Sequence, residues 1–484
     1  MSGDGALGTL APGRNCWRIE TAARAALIVD ADDYFRVVRE AMFEAKQRIM
    51  LIGWDFDARI RIGEPGEDGA PEAIGEFILW LAKRRPALEI YLLRWDFGAI
   101  KAMFRGVTPL ILLRWWRHKR IHVKLDAVHP VGASHHQKIV VIDDCMAFCG
   151  GIDITAERWD TSHHADDEPR RIGPNGKPYR PWHDATMALE GPIAAALGEL
   201  ARERWRCATD ERLAPVSGRS DCWPASLTAD FSDIEAAISR TAPDYAPVEE
   251  CREIEALYLD LIARARRFIY AESQYFASRK IAEAIEKRVA EPDGPEIVLI
   301  NPEQADGWLE QTAMDTARAR LWRAIEKADS QDRFRIYHPF TRSGAPVYVH
   351  AKIMIVDDEV LRVGSSNWNN RSLRLDTECD VTIDAAGEVE TMATITRLRE
   401  GLMAEHLGAE PAAVARAVAE TGGLIAAIER MRGPWRTLRP YYPPELSKVE
   451  QALADNEVLD PEGPDEMFEP LTRRGLFRRL RRPA

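Results

Sequence analysis

The sequence predicts an α/β fold made of two fused copies of one unit, each with a central mixed sheet flanked by helices, which meet to form one site. Three observations favour this prediction. An eight-residue motif occurs twice, at residues 136–143 and 350–357. Helical patterns and short β-branched runs precede both copies in the same order. The length of 484 residues exceeds what one ordinary core supports.

Both halves present the same series of elements. A helix-like stretch is followed by three strand candidates, and the last of these carries the motif. The corresponding ranges are 32–48, 49–57, 88–96 and 135–143 in the first half, and 248–267, 268–276, 296–303 and 349–357 in the second.

The domain boundaries follow from this series. The stretch between the halves is rich in Ser, Pro, Asp and Ala and lacks a long apolar period, which predicts a linker. We expect a first repeat at 25–209, a linker at 210–247, a second repeat at 248–400, a helical extension at 401–447 and a mobile tail at 448–484. The basic end of that tail, where six arginines interleave with leucines and Phe477, predicts either a solvated segment or one that docks on anionic lipid.

The cysteines and the hydropathy bear on the compartment. Seven scattered cysteines argue against a disulfide framework and favour a reducing environment. Cys145 and Cys149 are expected to be small buried apolar side chains. No stretch is apolar enough for a transmembrane helix, and the N-terminus lacks a signal-peptide pattern. We expect a cytoplasmic protein, peripheral on the membrane, with secretion without a classical signal as the alternative.

The repeated motif is His-x-Lys-x4-Asp. The first copy is His136, Lys138 and Asp143, and the second is His350, Lys352 and Asp357. Residues i and i+2 of a strand project to the same face, so the His and Lys of each copy are predicted to lie side by side. The near match at His122 has no Asp at the third position. Both complete copies are intact, which weighs against a purely structural role.

Two histidines and two lysines brought together suit a phosphate group. A neutral imidazole can attack phosphorus, and an imidazolium can donate a proton. Two ammonium groups stabilise charge on phosphoryl oxygens. This chemistry needs no metal, and the sequence shows no clustered carboxylate or Cys/His set, so we expect neither a metal nor a cofactor. The motif aspartates are expected to be structural and to hold the turn after each strand.

At these residues the chain resembles the phospholipase D superfamily, whose signature is H-x-K-x4-D-x6-G. The resemblance extends to eukaryotic-type phospholipases D through the segments GGID at 150–153, RWD at 158–160, PWHD at 181–184, ESQYF at 272–276 and GSSN at 364–367. Ser273 replaces the family's Asn in the fourth segment. Asp153 stands where the second repeat has Asn367, so the two halves are not equivalent.

The resemblance implies a two-step phosphodiester transfer. His136 is expected to attack phosphorus and form a phosphohistidine, while His350 protonates the leaving alcohol and then activates water or another alcohol. The expected phosphate ligands are Lys138, Lys352 and Asn367. Asp184 and Glu378 are the expected orienting carboxylates of His136 and His350, respectively.

Four further side chains are expected to bind substrate: Trp159, Trp182, Gln274 and Ser365. For the two tryptophans, core packing is the default, and an aromatic wall for a quaternary ammonium head group is the alternative. His163 and His164 are expected to be ordinary loop histidines.

Three classes of function remain open. The first is a phospholipase D that hydrolyses phosphatidylcholine-like lipids to phosphatidate and a head-group alcohol, with transphosphatidylation as a side activity. The second is a cardiolipin synthase-type phosphatidyltransferase. The third is a nuclease of the same superfamily or a non-catalytic binding protein. A net charge of −12 weighs against nucleic acid. We expect a monomer that meets a phospholipid at a membrane surface.

Overall fold

The computed structural model describes residues 9–63, 69–95, 108–216, 218, 221–305 and 308–444. The tail predicted at 448–484 lies outside the described residues. In the first half the elements are β1 (Arg18–Val29), α1 (Ala31–Glu44), β2 (Arg48–Gly53), α2 (Ile74–Arg84), β3 (Glu89–Trp95), α3 (Thr108–Trp116), β4 (Ile121–Asp126), β5 (Ile139–Ile142), β6 (Met146–Gly150), β7 (Trp182–His183), β8 (Ala185–Glu190) and α4 (Pro192–Thr209).

The second half repeats most of this series. Its elements are β9 (Phe231–Ala242), β10 (Cys251–Arg252), α5 (Glu253–Arg264), β11 (Phe268–Glu272), α6 (Arg279–Val289), β12 (Glu296–Ile300), α7 (Trp308–Ala328), β13 (Phe334–Phe340), β14 (Tyr348–Val349), β15 (Ile353–Val356), β16 (Val360–Gly364), a π-helical turn (Arg371–Leu375), β17 (Glu378–Asp384), α8 (Val389–Leu407), α9 (Pro411–Thr421), α10 (Leu424–Met431) and β18 (Thr437–Pro440).

One continuous sheet joins the two halves. Its order is β18-β13-β12-β11-β15-β16-β17-β9-β1-β8-β6-β5-β2-β3-β4, with β10 paired beside β9. In each half three neighbouring strands are parallel, β2, β3 and β4 in the first half and β11, β12 and β13 in the second, and the strands nearer the centre are antiparallel. In the second half β18, which has no counterpart in the first half, lies antiparallel outside β13. The order of one half is the mirror of the other about the antiparallel β1–β9 pair. The predicted mixed sheet in each of two repeats is therefore confirmed, and the two half-sheets meet edge to edge.

The predicted linker contains one of these central strands. β9 lies within residues 210–247 and pairs with β1 on one side and β17 on the other. Its sequence, FSDIEAAISRTA, is built from small and polar residues, so it shows neither a long apolar run nor a clear alternation. The linker assignment is corrected for residues 231–242, because pairing on both edges, not side-chain pattern, holds this strand.

Alternate side chains of the strands pack on opposite faces of the sheet. Met50 and Ile52 join a core that extends across both halves, whereas Ile49 and Leu51 join a core confined to the first half. The second half has its own core on the corresponding face. The period-two burial of these strands thus produces one shared core and two separate ones.

A disulfide joins Cys145 to Cys222 across 77 residues. The expectation that Cys145 is a free buried thiol is therefore wrong, although Cys149 is free and buried as predicted. Cys145 lies at the tight turn between β5 and β6, and Cys222 lies in the segment before β9. Sequence spacing alone gave no sign of this pair, because its members belong to different elements.

The C-terminal extension is only partly helical. α8 runs through the predicted boundary at residue 400, and after α9 and α10 the chain adds β18 antiparallel to β13 at the edge of the sheet. None of the helices that the structure describes combines the length and the apolar composition required to cross a bilayer.

Candidate active site

Each motif begins in an extended segment that crosses to the other half of the molecule. His136 N donates to the carbonyl oxygen of Thr377 at 3.0 Å, and His135 forms an isolated parallel bridge with Thr377. In the second half, β14 pairs in parallel with β7, and His350 N donates to the carbonyl oxygen of His183 at 2.7 Å. The motif histidines therefore sit against chain segments of the opposite repeat.

This crossing decides which carboxylate meets which histidine. Nδ1 of His136 lies 2.9 Å from Oε2 of Glu378, and Nδ1 of His350 lies 2.6 Å from Oδ2 of Asp184. The predicted assignment, Asp184 to His136 and Glu378 to His350, is wrong, and the partners are exchanged. The physical reason is the pairing just described, because each carboxylate follows directly on the segment that the opposite motif joins.

Burial shapes the ionisation of both pairs. Desolvation and the charges of Lys138 and Lys352 hold the pKa of His136 well below its usual value. Desolvation, then Lys352 and Arg158, do the same to the pKa of His350. Burial raises the pKa of Glu378 to about 8 and raises that of Asp184. Both imidazoles are therefore neutral at rest, as a nucleophile requires.

The two motif lysines have different partners. Lys138 Nζ lies 3.1 Å from Oδ2 of Asp153. Lys352 Nζ donates to Oε1 of Gln274 at 3.3 Å and to the carbonyl oxygen of His350. Burial, opposed by Asp184, lowers the pKa of Lys352 to about 7. The ammonium of the second repeat thus lacks the carboxylate contact that the first repeat supplies.

Two residues predicted from the second repeat take different roles. The side-chain oxygen of Asn367 is buried and has no hydrogen-bond partner among the described residues; because an amide oxygen accepts and does not donate, the predicted contact of Asn367 with phosphate would use its amide nitrogen and stays a prediction. Ser365 is fully buried, and its hydroxyl donates to Oε2 of Glu378 at 2.5 Å. Ser365 therefore positions a carboxylate, and its predicted contact with substrate is corrected.

The motif aspartates hold the backbone. Asp143 accepts from three consecutive amides at residues 46–48, with distances of 2.6–2.8 Å. Asp357 does the same for residues 266–268 at 2.7–2.9 Å. These bonds anchor the starts of β2 and β11, beside the motif strands β5 and β15. The contacts match the structural role expected of both residues, although they fix the neighbouring strand as well as the turn.

The predicted aromatic residues divide into one inside the site and one outside it. Trp182 stacks on Tyr348 with ring centroids 4.5 Å apart and lies 5.2 Å from the His350 ring. The guanidinium of Arg158 lies 4.1 Å from the Trp182 ring centre, in the place expected for a head-group cation. Trp159 donates to Asp32 and packs against the first-half core, so it is corrected to a structural residue.

Gln274 joins the second motif to this aromatic pair. Its amide nitrogen donates to the Tyr348 hydroxyl at 2.8 Å, and its oxygen accepts from Lys352. Gln274 therefore bonds directly to the motif lysine, and its contact with substrate stays a prediction.

Sequence reasoning missed three side chains near the motifs. Trp54 lies edge-on to the His136 ring with centroids 6.3 Å apart, and it stacks on Trp95 at 5.9 Å. The third is Arg158. Gly-Trp-Asp-Phe and Arg-Trp-Asp-Phe occur at residues 53–56 and 94–97, directly at the ends of the parallel strands β2 and β3. Because the carboxyl ends of parallel strands meet at one edge of a sheet, this repeat could have indicated both tryptophans.

Two protein-family models match this chain. A family model described as "Phospholipase D" matches residues 41–285, and one described as "Cardiolipin synthase, PLD-like domain" matches residues 258–398. The chain belongs to the phospholipase D family. The two models together cover both motifs and the segments that carry their carboxylates.

Relatives within the phospholipase D family are distant. The chain is 25% identical over 460 residues to phospholipase D A of Dictyostelium discoideum, covering 80% of this chain and 36% of that protein. It is 25% identical to phospholipase D1 of Saccharomyces cerevisiae, covering 81% and 29%. Cardiolipin synthase A of Pseudomonas putida is 30% identical, covering 54% and 47%. The chain thus spans about a third to a half of the length of these relatives.

A solved structure supports the fold. Phosphatidylserine synthase of Haemophilus influenzae superposes with a TM-score of 0.52 at 15% identity, covering 79% of this chain and 88% of that one. Within the described residues, the clusters of His and carboxylate groups that could hold a metal contain none of the motif side chains.

Proposed function

We propose that this phospholipase D family member cleaves the distal phosphodiester of glycerophospholipids through a phosphohistidine, releasing phosphatidate and the head-group alcohol. The observation that carries the proposal is the pair of motif histidines, each held at Nδ1 by a buried carboxylate of the opposite repeat. Two ammonium groups accompany them. Relatives named phospholipase D support the substrate class.

The steps follow from these groups. Nε2 of His136 attacks phosphorus, and the bond from phosphorus to the head-group oxygen breaks as His350, which takes up a proton on Nε2 when the anionic phosphodiester binds, gives that oxygen the proton. His350 then takes a proton from water, whose oxygen attacks phosphorus while the phosphorus–nitrogen bond to His136 breaks. Lys138, Lys352 and the amide of Asn367 stabilise the negative charge of the phosphoryl oxygens. Glu378 and Asp184 offset the positive charge that each ring gains.

A specific observation favours a second candidate, a phosphatidyltransferase that uses a lipid alcohol. Arg158 occupies the cation position over Trp182, and its charge repels a choline head group while attracting a second phosphate. The match of residues 258–398 to the cardiolipin synthase model agrees with this alternative. Both candidates share the covalent step and differ in the acceptor of the phosphatidyl group.

The test is incubation of the full chain with vesicles of phosphatidylcholine, phosphatidylethanolamine or phosphatidylglycerol, and separately with DNA. Phosphatidate with a free head-group alcohol supports hydrolysis, whereas cardiolipin from phosphatidylglycerol alone supports transfer. Cleavage of DNA without lipid turnover contradicts both. Membrane contact as a peripheral protein is part of the proposal, and co-sedimentation with the same vesicles tests it.

Matched histidine variants separate the site from the background. His136→Ala and His350→Ala should each remove lipid turnover. His122→Gln, in the incomplete copy of the motif, should retain it, because His122 lies on β4 outside the site and pairs with Glu89 of β3. Turnover that persists in both motif variants contradicts the mechanism.

A further inference from the structure

A second cluster of histidines and carboxylates lies directly behind the active site. It consists of Asp30, His164, His183 and Glu405, whose nearest nitrogen and oxygen atoms all lie within 4.8 Å of one another. Asp30 and the two histidines are at most 1% exposed, and the side chain of Glu405 is 8% exposed. The motif chemistry uses none of these side chains. His164 had been expected to be an ordinary loop residue, and its burial corrects that expectation.

The four side chains have the spacing of a tetrahedral metal site. His183 Nδ1 lies 2.7 Å from Glu405 Oε1 and 3.5 Å from Asp30 Oδ1. His164 Nε2 lies 3.1 Å from the same Glu405 oxygen and 3.8 Å from Asp30 Oδ2. A tetrahedron with metal–ligand bonds of ~2.0 Å has edges of about 3.3 Å. The two contacts of Glu405 are shorter than this edge, and the two contacts of Asp30, which involve its two different oxygens, are longer.

Each histidine also has an outer carboxylate on its far nitrogen. Nδ1 of His164 lies 3.0 Å from Asp160 Oδ2, and Nε2 of His183 lies 2.7 Å from Glu272 Oε2. Metal-binding histidines characteristically donate their second N–H to a carboxylate, which fixes the tautomer and leaves the first nitrogen as a ligand. Both rings of the cluster therefore present their inner nitrogens to Asp30 and Glu405.

An independent observation on Asp30 favours a cation in this cluster. Oδ2 of Asp30 is buried and has no hydrogen-bond partner among the described residues. A buried carboxylate oxygen without a partner is costly unless a cation or a donor satisfies it. This oxygen faces His164 Nε2 inside the cluster.

We propose that Asp30, His164, His183 and Glu405 bind one divalent transition-metal ion of the Zn²⁺ class. Two imidazoles and two carboxylates form a mixed nitrogen and oxygen set that suits this class of ion. The two carboxylates neutralise its charge, and all four positions of a tetrahedron are filled by protein. The ion is therefore structural, and the proposal is independent of the lipid chemistry.

The alternative is that the histidines of this cluster are protonated and that the cluster binds no metal ion. Without a metal, both nitrogens of His164 and of His183 face carboxylates, so each ring would carry two protons and a positive charge. Arg436 approaches Glu405 Oε1 at 3.8 Å from the outer side, and His406 contacts Glu272 at 3.1 Å. A proton-filled cluster predicts no metal uptake, which makes the two accounts separable.

The ion would join parts of the fold that the active site needs. Two hydrogen bonds join Asp30 to Asp184, and in the first Asp30 N donates to Asp184 O at 2.8 Å. Asp184 N donates to Asp30 Oδ1 at 3.1 Å. The carbonyl of His183 accepts from His350 N. Glu405 comes from α8 of the C-terminal extension, so one ion would tie this extension to the strand behind His350.

The experiment measures metal directly in the full chain. Untagged protein is purified from zinc-supplemented culture and analysed by mass spectrometry of metals, and it is also refolded with Co²⁺ as a spectroscopic probe. We expect about one equivalent of Zn²⁺, and with Co²⁺ the visible absorption of a tetrahedral site with nitrogen and oxygen ligands. A content below about 0.1 equivalent in both preparations would overturn the proposal.

Adjacent histidines supply the matched variants. His164→Gln should lose at least about 10-fold in metal content or affinity. His163→Gln, the exposed neighbour, should keep the full content. Equal retention in both variants contradicts the site. If His164→Gln does not fold, X-ray absorption of the wild-type Zn²⁺ protein decides, because sulfur ligands would place the ion on cysteines and refute the proposal. Lipid turnover is not a readout here, so failure of the proposed function leaves this result unaffected.

Discussion

The exchange of carboxylates between the repeats makes a sharp prediction for Glu378→Gln and Asp184→Asn. In the active state, the Glu378 carboxylate accepts the Nδ1 proton of His136 and leaves Nε2 free to attack. The neutral amide of the Gln or Asn side chain cannot offset the positive charge that develops on the imidazole ring. Glu378→Gln should therefore impair attack on phosphorus, and Asp184→Asn should impair the proton transfers of His350.

The size of the effect follows from the bond that is lost. A hydrogen bond to a charged group contributes about 1.5–3 kcal/mol, and 1.36 kcal/mol corresponds to a tenfold change in rate. Glu378 is fully buried, so water does not replace the missing partner. The rate of phosphohistidine formation in Glu378→Gln should fall by about 10- to 150-fold at unchanged folding.

A pre-steady-state assay with a phosphatidyl ester of p-nitrophenol separates the two steps. This leaving group is stable as an anion and does not need the proton of His350. Asp184→Asn should therefore show a full burst of p-nitrophenol, slow turnover and accumulated phosphohistidine at residue 136. Glu378→Gln should lose the burst. Thermal unfolding of both variants serves as the control for folding.

The reverse pattern would refute the reasoning. A burst that survives in Glu378→Gln but disappears in Asp184→Asn would make His350 the nucleophile. Full bursts in both variants would show that the hydrogen bond between Glu378 and His136 has no part in the first step.

Three further predictions concern stability and pH. Cys222→Ser should lower the free energy of unfolding by about 2–4 kcal/mol in a urea titration, because the disulfide closes a long loop, whereas Cys207→Ser, which alters an unpaired thiol, should change it little. Asp143→Ala should lower the free energy of unfolding by about 2–4 kcal/mol, because three backbone amides lose their acceptor. The folded fraction of this variant should retain its kcat, and a stable but inactive variant would contradict the structural role. The pH profile of kcat/KM should be a narrow bell centred between pH 7 and 8. The reason is that Glu378, with a pKa of about 8, must lose its proton, whereas Lys352, with a pKa of about 7, must keep its proton. Lys352→Arg should remove the fall in activity at alkaline pH, and an unchanged fall would exclude Lys352 as its cause.

The duplicated strands were predictable because their signal is local. β5 and β15 follow the motif residues, and their alternate side chains are buried on both faces. Each is flanked by a strand of its own half. The hydrophobic period and the spacing of the repeats were therefore enough to predict the fold class, the duplication and the two His/Lys pairs.

The features that were not predictable depend on contacts between distant segments. His164 is buried because Glu405, 241 residues later, meets its ring. Cys145 finds Cys222 only when the segment before β9 returns to the sheet. The exchange of the carboxylates depends on how two extended segments cross, and no local sequence pattern predicts that crossing. Such sites require the assembled fold, because the sequence signal of each partner alone is that of an ordinary buried residue.

The two motif lysines have different partners, and this difference favours different roles for the two motif histidines. Asp153 supplies a carboxylate to Lys138 at 3.1 Å, whereas at the equivalent position of the second repeat stands the neutral Asn367. Among the described residues, Lys352 donates hydrogen bonds to the neutral oxygens of Gln274 and His350, and burial lowers its pKa to about 7. An anionic phosphate is the group that restores its charge. In the proposed mechanism, binding of an anionic phosphate therefore stabilises the Lys352 ammonium of the second repeat, and His136 of the first repeat is the nucleophile.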